Sequence, residues 1–239
     1  MSIWGKFAGV AAGLAMGGPI GALIGGIAGH FAFDRGAGEP GPARRQVAFT
    51  IGVIALGAKM AKADGVVTRD EVDAFRQIFV VPPAEVENVA RVFNLAKQSV
   101  SGFEAYAAQL AQIFGPQAKI LEDVLDGLFH IAKADGVVHP KEIEFLQQVA
   151  AHFGFDEAAF ARIRARHVSP DQEDPYVILG LDRDAGDTEI KKTYRQLVRD
   201  NHPDKMIARG VPEEFVAIAT ERLARINSAY DQIEKERGL

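Results

Sequence analysis

Near the C-terminus, His202-Pro203-Asp204 sets an imidazole and a carboxylate on either side of a proline, and a cluster of cations precedes them. Laying out Asp187 to Asn201 at about 100° per residue puts Leu197, Ile190, Tyr194 and Val198 on one apolar arc. Lys191, Lys192, Arg195 and Arg199 occupy the adjoining arc, so one face packs and the next is basic. Such a helix beside an exposed loop suits docking, because a cationic patch raises the rate of encounter with an acidic partner. It does not suit catalysis. The chain has no GxxxxGK[ST] loop or comparable phosphate cradle, and no nucleophile, base and orienting group can be named together. The expectation is a binding protein and not an enzyme.

A second set of chemically capable residues lies in a repeat. Ala61-Lys62-Ala63-Asp64-Gly65-Val66-Val67 returns as Ala132-Lys133-Ala134-Asp135-Gly136-Val137-Val138, and Glu71 and Glu142 follow at the same offset. Each copy reads as one helix ending and another beginning. Gly65 and Gly136 suit a left-handed position after a helix, Thr68 with Glu71 matches a capping box, and Pro140 with Glu142 suits the first and third positions of a helix. The alternative is a divalent cation shared between the two corners through Asp64, Glu71, Asp135 and Glu142. The pattern resembles the second half of an EF-hand loop, but Met60, Lys62, Ile131 and Lys133 stand where the upstream oxygen ligands belong. No other cofactor is expected.

These elements need an arrangement, and the N-terminus suggests where it is held. Between Lys6 and Asp34 no residue carries a formal charge apart from the titratable His30, a length sufficient for a bilayer-spanning helix. Gly5, Gly9, Gly13, Gly17, Gly21, Gly25 and Gly29 recur at every fourth position. That stripe leaves bare backbone on which two membrane helices can approach closely, so a homodimer through the span is an expectation. The segment lacks the compact leucine-rich core and cleavage site of a signal peptide. Lys6 precedes it whereas Arg35, Arg44 and Arg45 follow, which places the bulk of the chain in the cytoplasm.

The 239 residues are 48% hydrophobic, enough for packed cores, and the net charge of −5 supplies no overall basic field for nucleic acid. There is no cysteine, which excludes disulfides and thiolate zinc sites. Apolar spacings of three and four dominate, so the fold class is all-α. The organisation read from the sequence is a membrane anchor over 1–34, a linker over 35–45, a helical domain with an internal repeat over 46–167, a linker over 168–173 and a helical hairpin domain over 174–239.

The repeated corner on a helical background resembles the tellurite-resistance TerB-like domain, which implies an association with metal at the carboxylates named above. Asp174-Pro-Tyr-Val-Ile-Leu-Gly-Leu, followed by the basic helix, the His-Pro-Asp loop and an apolar helix, resembles the J domain. That resemblance implies docking on a DnaK-type ATPase, with His202, Pro203 and Asp204 as the trigger and Lys191, Lys192, Arg195 and Arg199 as the steering surface. Tyr194 is implied as a packing residue bordering the docking face. The order of anchor, TerB-like domain and J domain, with Trp4-Gly5-Lys6 and Met16-Gly17-Gly18 at the start, is similar to DjlA-like membrane-anchored J proteins. It implies a single-pass co-chaperone of the bacterial inner membrane that stimulates ATP hydrolysis by a DnaK-type partner and delivers or localises clients. The alternative expectation is a metal-responsive envelope-stress sensor acting through the TerB-like domain.

Overall fold

The computed structural model describes residues 18–28, 42–64, 86–98, 102–116, 118–134, 136–167 and 174–239. Among them every regular element is helical: α1 (Gly18–Ala28), α2 (Pro42–Asp64), α3 (Val86–Gln98), α4 (Phe103–Phe114), α5 (Lys119–Ala132), α6 (Pro140–His152), α7 (Glu157–Ala165), α8 (Pro175–Leu179), α9 (Asp187–Asp200), α10 (Pro203–Arg209), a 3₁₀ turn (Glu213–Phe215) and α11 (Val216–Arg237).

The helical domain is built around α2. Pro42 stands at its first residue, where a missing amide hydrogen costs no helical bond. Phe49, Ile51, Val53, Ile54, Leu56 and Met60 point in every direction around it and all are buried. A helix apolar on all sides must be enclosed on all sides, and α1, α3, α4, α5 and α6 enclose it. The second repeated corner is described only in part. Gly136 has the expected left-handed backbone, φ +95°, but α5 already ends at Ala132 with Lys133 as its cap, so the glycine turns the connecting loop instead of terminating the helix. Pro140 opens α6 as expected, with Glu142 accepting from the His139 amide at 2.8 Å. Val138 packs partly against the core, whereas Val137 is 65% exposed. The first corner, Gly65 to Glu71, lies outside the described residues.

At the N-terminus, α1 has 11 residues and is roughly 16 Å long, and no helix among the described residues is long and apolar enough to cross a membrane. Its Ile20 and Leu23 are buried in the core of the helical domain, and the Ile20 amide donates to Gln109 Oε1 at 2.9 Å. Of the glycine stripe, Gly21 and Gly25 lie on α1, with Gly21 buried, while Gly5, Gly9, Gly13, Gly17 and Gly29 lie outside the described residues.

In the C-terminal domain α9 and α11 form the expected antiparallel pair around a separate small core. Ile190, Ile226, Ala229 and Ile233 are buried between them with Tyr176, Ile178 and Leu179 of α8, and Tyr194, Leu197 and Val198 pack at the edge. Tyr194 is stacked on Tyr230 with centroids 3.9 Å apart, and its hydroxyl donates to Asn227 Oδ1 at 3.2 Å. The two ends of the domain are tied together by Arg237, whose Nε donates to the Tyr176 hydroxyl and Nη1 to the Ala185 carbonyl, each at 2.6 Å.

Candidate functional site

The His-Pro-Asp corner lies between the last turn of α9 and the first of α10. The sequence suggests an open loop running to Gly210 and Pro212, but Pro203 to Arg209 form a helix, because the same residues make a good helix start. His202 is the N-cap with extended backbone, Pro203 takes the first helical position, and the Asp204 amide donates to His202 Nδ1 at 3.3 Å. Both side chains point outward: His202 is 54% and Asp204 87% exposed. The two are close, Nδ1 to Oδ2 3.6 Å, but no third group among the described residues is poised to make them a proton relay.

Buried neighbours aim this corner. Asn201 is wholly buried and its Nδ2 donates to the Leu197 carbonyl at 2.7 Å, closing the end of α9. Arg209 reaches back from the end of α10 to donate to the Asp200 carbonyl at 3.0 Å. Neither residue is singled out by the sequence, since one asparagine and one arginine in a connecting stretch carry no periodic signal.

Beside the corner, Lys192, Arg195 and Arg199 are exposed and Lys191 half-buried, on one side of α9. Arg195 donates to the Lys191 carbonyl at 3.0 Å and Arg199 to Gln196 Oε1 at 2.9 Å. Among the described residues none of the four has a carboxylate partner, while Tyr194 lies against Tyr230 and Asn227 of α11.

Of the carboxylates considered for a cation, only Glu142 has a described side chain. Glu142 is occupied as a helix cap, whereas Glu71, Asp135 and the side chain of Asp64 lie outside the described residues. No group of three or more histidine, aspartate or glutamate side chains among the described residues is placed to hold a metal ion.

A different acidic row is the feature that sequence reasoning missed. Glu122, Asp123 and Asp126 on α5 are 3%, 1% and 1% exposed, and a buried carboxylate needs partners. Glu122 pairs with Arg166, Asp123 with Arg209 and Arg222, and Asp126 with Arg222 and His167. Burial pushes the Glu122 and Asp126 carboxyls up, but the guanidiniums of Arg166 and Arg222 outweigh it and hold both well below the usual carboxylate range. Burial pushes the His167 imidazole down against the opposing hydrogen bond to Asp126. The available signal was acidic residues at spacings of one and four inside an otherwise apolar helix.

Comparison with known proteins agrees with this geometry domain by domain. Residues 50–165 match the family described as tellurite resistance protein TerB, and residues 174–237 match the DnaJ domain. Residues 1–45 match the co-chaperone DjlA transmembrane domain. The co-chaperone protein DjlA of Coxiella burnetii is 31% identical over 241 residues, covering 88% of this chain and 89% of that protein. The chain belongs to the DjlA co-chaperone family. Among its DjlA relatives, that of Aliivibrio fischeri is 29% identical with 82% of this chain and 81% of the relative covered, and that of Vibrio vulnificus is 30% identical with 83% and 82% covered. No solved structure matches the chain. In DjlA terms, the exposed tripeptide and basic arc lie in the J domain, and the acidic row lies in the TerB domain.

Proposed function

We propose that this DjlA-family chain is held at the bacterial inner membrane by its N-terminal segment, with the TerB and J domains in the cytoplasm, and that its J domain stimulates ATP hydrolysis by a DnaK-type chaperone. The observation that carries this reading is the exposed His202-Pro203-Asp204 corner following a helix, α9, whose four cations have no carboxylate partner among the described residues. The basic arc draws in an acidic ATPase surface, and the corner then favours whichever state of the partner fits it. The partner's equilibrium shifts by as much as those two states differ in affinity for the corner. The chemistry stays in the partner. Localising clients near the membrane follows from the anchor.

Single-turnover ATP hydrolysis by a DnaK-type chaperone, measured with and without the full-length protein in detergent, tests the reading. The parent is expected to accelerate hydrolysis and His202→Gln to abolish the effect. Lys191→Glu combined with Arg195→Glu is expected to raise the concentration giving half-maximal stimulation. That penalty should shrink above 0.1 M salt, where the screening length falls below about 10 Å. Stimulation by His202→Gln equal to the parent's would remove the trigger assignment.

A further inference from the structure

The acidic row of α5 takes two of its cations from the other domain. Arg222 of α11 is 2% exposed and forks across two carboxylates, Nη2 to Asp123 Oδ1 at 2.7 Å and Nη1 to Asp126 Oδ2 at 2.5 Å. Arg209 of α10 adds a contact to Asp123 Oδ2 at 3.2 Å. At the rim Glu221 pairs with Lys133 and lies 3.4 Å from His130 Nδ1.

Apolar packing surrounds the fork. Met206, Val211, Phe215, Ile218 and Ala219 belong by chain position to the J domain, yet they are buried in the same core as α2 and α5. Phe215 meets Phe49 of α2 edge-to-face at 4.7 Å. On α5 it approaches so near that a β-carbon added to Gly127 would lie 2.9 Å from its ring, so glycine there is what admits the aromatic.

A guanidinium is desolvated this completely only where its fork is matched, and removing either side leaves uncompensated buried charge. The two domains are therefore not beads on a tether. The contact also spares the partner-facing surface: Lys191, Lys192, Arg195 and Arg199 make no ion pair across it. The acidic row is neutralised by Arg166, Arg209 and Arg222, so it does not compete for the basic arc. The contact lies toward the start of α2, where Gly210 would bring a β-carbon within 3.2 Å of Arg45 Cβ.

We propose that Arg222 is a positioning residue that fastens the J domain to the TerB domain as one body, presenting the His-Pro-Asp corner in a single orientation beside the N-terminal end of α2. The orientation rests on the structure alone. Its value for placing a DnaK-type partner relative to the membrane rests on the function proposed above.

Because the chain has no cysteine, Val137→Cys in the TerB domain and Gln232→Cys in the J domain, both at exposed positions, give a unique spin-label pair. Pulsed electron-electron resonance on the full-length protein in detergent is expected to return one narrow distance distribution. Arg222→Ala should lose the narrow peak with helix content by circular dichroism unchanged, and Arg222→Lys, which retains a cation, should restore part of it. Asp123→Asn with Asp126→Asn, which leaves the J domain sequence intact, should lose it as well. A broad distribution in the parent, or a narrow one in both charge-removing variants, overturns the clamp. No ATPase enters this measurement, so its failure leaves the DnaK reading standing, and failure of DnaK stimulation leaves the clamp standing.

Discussion

His202 and Asp204 owe their exposure to their own types and their direction to Asn201 and Arg209, which hold the ends of α9 and α10 together from inside. A further residue with a consequence for the whole domain is His167. Its Nε2 is 2.6 Å from Asp126 Oδ1, its ring is stacked on Phe129 at 4.8 Å, and its buried Nδ1 has no hydrogen-bond partner among the described residues. That geometry fixes a neutral ring donating through Nε2. Burial holds its pKa below the ordinary 6.5, so between the folded value and 6.5 the unfolded chain binds more protons than the folded one. The stability contributed by the neutral ring is therefore complete above about pH 6.5 and is lost as pH falls toward the folded pKa, by at most about 1.4 kcal/mol per pH unit. The groups facing the ring do not blur this window: Asp126 is held ionised to far lower pH by Arg222, and Arg222 is held cationic by Asp126 and Asp123. The urea midpoint of the parent is expected to drop between pH 7.5 and 5.5, and that of His167→Gln to drop less. Equal drops would assign the proton elsewhere.

Helix by helix, what could be read from the sequence divides along the range of the interactions. The start of α6 was legible because Pro140 and Glu142 act within three residues of the cap, and the apolar arc of α9 was legible because it is a local periodicity. The end of α5 was misjudged because Gly136 is equally suited to a loop, and nothing local distinguishes the two positions. The match of α5 to α11 was not legible, since Arg222 is 96 residues from Asp126 and 99 from Asp123. An arginine on a helix surface and an aspartate inside an apolar helix look unrelated until the domains dock. The cap of α6 gives the test at this scale. Glu142 is 2% exposed and accepts the His139 amide, so Glu142→Ala removes that acceptor and should cost about 1 kcal/mol. For a protein of this size that lowers the melting temperature by about 2–4 °C, and Glu142→Gln, which retains an acceptor oxygen, should recover most of it. An unchanged melting temperature in the alanine variant would show that the cap does not secure α6.

At the scale of the molecule, the boundary between domains in the chain is not the boundary between cores. Along α11, Ile218, Ala219 and Arg222 are buried against the TerB domain, whereas Ile226, Ala229 and Ile233 are buried in the small J-domain core with α8 and α9. One helix thus serves two cores in succession, and its first two turns depend on a domain that the sequence separates from it by a linker. Opening free energies vary along a structure with the contacts that must break. Excising residues 174–239 therefore removes the partners of the first half of α11 and leaves those of the second half in place. Hydrogen exchange should report the split: amides of Val216 to Arg222 are expected to exchange faster in the excised fragment than in the full-length protein, while those of Ile226 to Ile233 keep most of their protection. The same comparison with Arg222→Ala in the full-length protein should accelerate the first half alone. If protection in Val216 to Arg222 is the same in fragment and full-length protein, the buried fork contributes nothing to holding that half of the helix.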